Sequence, residues 1–204
     1  MKRVLQAVMA LAFVMPALRA QEGGRSVVWT PVKVPVSMFS RDLGMLDAER
    51  DEYATSLANC AANGIVQAKA SPASLDRSQR LLAVALNLSP RNRRAIIVNF
   101  QLAKGTLPEE SKGDFSPPVL ARLLLTRGQL LAKTESLENR LLARLFFQLA
   151  AELDPKNEDA VYASEVDRLD HGAVDWSQLT RPRGEATADP AKDSTQPPTP
   201  QRRP

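Results

Sequence analysis

Four times this chain places a capping side chain directly before a proline: Ser71-Pro72, Ser89-Pro90, Ser116-Pro117 and Asp154-Pro155. A Ser or Asp oxygen can accept from a first-turn amide that has no partner inside its helix, and proline at the next position has no amide to leave unpaired. Proline also drives the residue before it out of the helical region, so each pair ends one helix as it opens the next. The chain is thereby confined to a run of short helices with tight turns between them.

Periodicity fills in the helices. From about Asp47, residues Tyr53, Leu57, Cys60, Ala61, Ile65 and Ala68 recur at steps of three and four on one face, with Asn63-Gly64 a candidate break. A fifth start, Ser136, opens the best amphipathic run: Leu137, Leu141, Leu142, Leu145, Phe146, Leu149 and Leu153 line one side, with Glu138, Arg140, Arg144, Gln148 and Glu152 opposite. Gly105 and Gly172 mark helix ends. Helices are predicted over 47–69, 72–88, 90–104, 117–133, 137–153 and 155–170, and six helices suggest three hairpins. The connection from Gly105 to Pro118 is polar and rich in turn residues, which predicts an exposed, mobile loop.

The flanks differ in kind. Lys2 and Arg3, the apolar run Val4 to Leu18 and the small residue Ala20 form the pattern of a secretory signal peptide over residues 1–20. The run is short for a spanning helix, and no cysteine follows it to accept a lipid. Residues 21–46 read as an extended arm: Val32, Val34 and Val36 alternate, while Pro31 and Pro35 exclude a central strand and leave an edge strand or a segment lying across helices. Residues 181–204 hold six of the fifteen prolines and almost no large apolar side chain, the composition of a disordered tail. Cleavage after Ala20 would remove three basic residues, leaving 24 against 23 acidic ones, no surplus of the kind that neutralises phosphates. Nucleic acid is not an expected partner. The single Cys60 allows no internal disulfide, so the fold rests on one apolar core.

The segment Leu82 to Ile97 can be laid on Phe147 to Tyr162 at a constant offset of 65 residues, matching Ala85 with Ala150, Leu88 with Leu153, Pro90 with Pro155, Asn92 with Asn157 and Ala95 with Ala160. Ala143, Phe147 and Pro155 have the spacing of a repeat junction, and Ser78, Leu82 and Pro90 nearly repeat it. Over roughly residues 72–170 this resembles the tetratricopeptide repeat, in which a helix carrying Ala and then a large apolar residue ends at a proline that starts the next unit. The first-helix signature of that family is missing: Asn99-Phe100 and Ser164-Glu165 stand where Leu-Gly would fall. The resemblance implies an all-α domain over 47–180, antiparallel helix pairs stacked as a short solenoid, binding peptides or proteins on its concave face without catalysis. An irregular helical bundle is the alternative.

Chemistry finds little footing. His171 is the only histidine, beside Asp170 and before Gly172, where it reads as the cap of a helix carboxyl end. Asp167, Asp170 and Asp175 follow no cation-loop spacing, and Cys60 reads as a buried, inert thiol. No catalytic, cofactor-binding or metal residue is therefore assigned. Trp29 and Trp176 bracket the helices, Trp29 packing within its own chain and Trp176 with Leu179 covering the last helix. The expectation is an exported, non-enzymatic interaction or scaffold protein of a bacterial envelope, periplasmic or extracellular, with a protein or peptide partner, no cofactor and no membrane span after cleavage. The alternatives are a hydrolase or small-molecule binder using His171 with nearby carboxylates, and an adaptor tethered by an uncleaved signal anchor.

Overall fold

The computed structural model describes residues 29–113 and 116–180. The signal segment 1–20, the first residues 21–28 of the arm and the tail 181–204 lie outside the described residues. Within them the fold is all-α: α1 Asp47–Gln67, α2 Pro72–Leu88, α3 Arg93–Ala103, α4 Pro117–Ala132, α5 Leu137–Leu153, α6 Glu158–His171 and a short 3-10 turn, Trp176–Leu179.

Helix starts follow the capping chemistry at Ser71 and Ser136; Ser116 stands at the start of α4 without a side-chain cap hydrogen bond, and the other two starts are displaced. Ser71 and Ser136 accept from the amides of Ser74 and Asn139 at 3.3 and 3.4 Å, and Pro72 and Pro117 open their helices. At the other two junctions the prolines lie in turns, where their fixed φ suits the second position. Ser89 and Asp154 instead close α2 and α5, each accepting an amide hydrogen bond of 3.0 Å, from Asn92 and Asn157. Those asparagines are the true caps, accepting from Ala95 and Ala160 at 3.0 and 3.1 Å, so α3 and α6 start three residues later than the prolines suggest. α1 runs unbroken through Asn63-Gly64, since Leu57, Ala61 and Ile65 are wholly buried on either side. Gly105, at φ 71°, closes α3 with the amides of Gly105 and Thr106 returning to Leu102 and Gln101.

The offset of 65 residues holds for whole helices: Pro72 stands to Leu137 as Leu88 to Leu153 and Arg93 to Glu158. Each helix triplet contains a tight hairpin, α1 with α2 and α4 with α5. The six helices therefore do not form three successive hairpins: α3 rests on α1 and α2 and does not pair with α4, while α6 rests on α5 and α4. The two triplets meet where Tyr53 stacks on Phe146 with ring centroids 5.5 Å apart, and where Arg127 pairs with Glu49 at 2.8 Å and Arg80 with Glu152 at 3.0 Å. One core joins them, with Leu57, Ile65, Leu82, Leu124, Leu142, Phe146 and Leu149 fully buried. Leu137, expected on the apolar stripe of α5, is exposed at its first turn.

Between α3 and α4 the described part of the connection is mostly exposed, yet it is tied down. The Ser111 amide donates to Asn63 Oδ1 at 2.8 Å, Ser111 Oγ donates to buried Asn59 at 2.6 Å, and Arg94 donates to Asn59, Ser111 and the Glu109 carbonyl. Pro108, in the same connection, is buried. Polar side chains that satisfy one another out of water hold a loop in place as backbone ladders hold strands.

Candidate interaction groove

The arm forms no strand; it lies across the helices, fastened by side chains in place of a strand partner. The Asn99 carboxamide meets both backbone groups of Val32, accepting its amide at 3.0 Å and donating to its carbonyl at 2.9 Å, and also accepts the Trp29 indole N–H at 3.2 Å. Asn87, wholly buried, accepts the Met38 amide at 3.0 Å and donates to the carbonyls of Ala83 and Leu179, both at 2.9 Å. Farther along, Glu138 accepts from the amide and hydroxyl of Ser40, and Asn139 from the Gly44 amide at 2.9 Å. Arg50, also buried, donates to Leu88 and Ser40 carbonyls at 3.0 and 2.9 Å. Each is the partner that a buried backbone group needs.

Laid this way, the arm and α3 enclose an open groove of about 350 Å3 whose walls are Pro31, Val32, Val34, Leu86, Pro90, Ile96 and Phe100, with Asn99 the one polar side chain. Phe100 is 62% exposed and Ile96 46%, so the walls keep large apolar surface in water. The Lys104 ammonium stands over the Phe100 ring at 5.6 Å. Residues 29–36 and 89–104 carry Lys33, Arg91, Arg93, Arg94 and Lys104 and no acidic residue. Apolar walls under a one-signed rim suit a segment with a large apolar side chain flanked by carboxylates.

The chain matches no family model, no curated protein and no solved structure.

The residues weighed for chemistry lie elsewhere. His171 sits in the last turn of α6 with Nδ1 3.1 Å from Asp167 and its ring largely exposed. Asp167 is shared with Arg144 Nε at 2.9 Å, and Arg144 also donates to the carbonyls of His171 and Gly172. Arg144 therefore closes the helix end, while His171 pairs within its own turn. Asp175 accepts from the Ser177 amide at 3.0 Å and starts the 3-10 turn. Among the described residues no group of three or more His, Cys, Asp or Glu is placed to hold a metal ion, and no helix is long and apolar enough to cross a membrane. Cys60 is 4% exposed, and burial pushes its thiol up to about 11 against a weaker opposing pull from Arg77. Trp29 packs half-buried against the core, as expected. Trp176 differs from expectation: its turn lies on α2, where Leu179 is buried and the Arg80 guanidinium stands 5.7 Å over the indole. Asn87, Asn59 and Asn139 carry no sequence expectation, and Asn99 stands out only as a departure from the repeat signature; a polar residue at a core-facing helical position is the signal they share.

Proposed function

We propose that this chain is an exported, non-enzymatic interaction protein, a tetratricopeptide-like scaffold of the bacterial envelope that receives a protein or peptide in the groove between its arm and α3. The observation that carries the reading is the exposed apolar wall of Ile96 and Phe100 beside Pro31 and Val34. Solvated aromatic surface of this kind is costly to keep unless something covers it. Support for the repeat character comes from the two helix triplets in step at 65 residues. Support for export remains the pattern of residues 1–20, and the mature chain is expected to begin at Gln21.

The test is affinity purification of the tagged full-length chain from its own cells, alongside Phe100→Glu and Ile96→Glu. A stoichiometric protein should accompany the wild type and be lost with either variant, because each removes an apolar wall and sets a carboxylate that must be desolvated where the partner's apolar side chain would seat. Equal recovery with both variants, or no companion at all, would overturn the reading. Intact mass of the same sample reads the amino terminus: retention of residues 1–20 would replace export by membrane tethering.

A further inference from the structure

The duplication leaves two outer helices at equivalent places, and their solvent-facing stripes carry opposite charge. On α3 and its C-cap the stripe reads Arg93, Ile97, Phe100, Lys104, all exposed; on α6 the equivalent positions are Glu158, Tyr162, Glu165, Leu169, also all exposed, with Glu165 paired to Arg168 at 2.6 Å. Both sets step by four, three and four residues, so each forms one line down a helix. Tyr162 is 72% and Leu169 74% exposed, and Ala160 is the only buried residue of α6. The charge contrast extends past the stripes. Residues 89–104 hold four basic side chains and no acidic one, whereas residues 154–171 hold six carboxylates against Lys156 and Arg168. Stacked repeat folds normally end in polar outer faces, which keep copies apart. Here both outer helices keep large apolar side chains, set between charges of opposite sign.

We infer that a second copy of this chain is the occupant: the acidic α6 stripe of one molecule, with Tyr162 and Leu169, docks on the basic α3 face of the next, with Ile97 and Phe100. This rests on the reading of the groove side of α3 as the binding face. The contact joins two different surfaces, so it is heterologous, and every open assembly still presents one free α3 face at one end and one free α6 face at the other. Rings or open chains follow, and opposite charges at the seam make the association salt-sensitive.

Sedimentation velocity on the mature chain, over rising concentration at low and high salt, tests this with two variants, Phe100→Glu on α3 and Tyr162→Lys on α6. Both positions are exposed, and thermal melts that match the wild type establish that the variants fold. The wild type should associate with concentration and weaken about tenfold or more from low to high salt. Each variant alone should remain a monomer. Their equimolar mixture should recover a capped dimer, because one retains an intact α6 and the other an intact α3. A wild type that stays monomeric to high concentration at low salt, or a mixture that stays monomeric while the wild type associates, would overturn the proposal. A monomeric wild type whose groove still holds another protein, lost with Phe100→Glu, would overturn only this inference; a monomer with no companion would overturn the groove reading too.

Discussion

Single residues here work against local preference where a turn or a core demands it. Lys69 and Ala70 both adopt left-handed backbone, φ 50° and 52°, to bring α1 round into α2, with the Ala70 amide donating to Ile65 at 2.8 Å. A side chain in that region costs about 1 kcal/mol. Lys69 is exposed, so Lys69→Gly should raise stability by about 0.5 to 1 kcal/mol in urea denaturation, the gain offset in part by the freer unfolded chain. Cys60 sets a pH dependence of definite sign. Its thiol is raised from 9.0 to about 11 in the folded chain, so its contribution is complete below about pH 9 and is lost as pH rises toward 11. Over that window the wild type should lose about 2 to 3 kcal/mol more than Cys60→Ala, measured as the difference of their urea midpoints. Equal losses would show that the thiol ionises in the folded chain as it does in the unfolded one.

At the scale of elements, the α4–α5 hairpin depends on a close approach at Gly128, where a Cβ would stand 2.7 Å from the Phe147 ring. Gly128→Ala should therefore destabilise by about 1 kcal/mol, despite the better helix propensity of alanine. In a Phe147→Leu background the same change should become neutral or stabilising, and thermal denaturation of the four chains reads the reversal. Helix ends were legible because their signals are local: Ser71 and Ser136 cap as their hydroxyls suggest, and Gly105 turns as a glycine can. The starts at Pro90 and Pro155 were misplaced because Asn92 and Asn157, two residues on, offer the better-placed acceptor. The helix partners of α3 were not legible, because helical periodicity marks which face is buried and not which helix it meets, and α3 packs on α1 and α2 instead of on α4. The arm is held by the carboxamides of Asn87 and Asn99, whose backbone partners along it lie 49 and 67 residues away in sequence.

Over the whole molecule, two helix triplets share one core and the arm laces them together, from Asn99 on α3 past Asn87 on α2 to Glu138 and Asn139 on α5. Asn87 also holds the Leu179 carbonyl, so one buried side chain fastens both ends of the described chain. Asn87→Ala leaves the Met38 amide and the Leu179 carbonyl without this partner and should cost about 2 to 4 kcal/mol in chemical denaturation. Limited proteolysis should then cut first within the arm; unchanged stability and protection would show that the lacing is incidental. The apolar composition of the groove was legible in its parts, Val34 in the arm and Phe100 in α3, but not their meeting, which needs the arm in place. Its use as a binding face is tested most directly by replacing Phe100 with a photoreactive phenylalanine analogue and irradiating the cells, with exposed Glu52 on α1 as the control position. A discrete cross-linked polypeptide, stronger at position 100 than at position 52, is the predicted result. No adduct at position 100 above that at position 52 would contradict the groove as an interaction site.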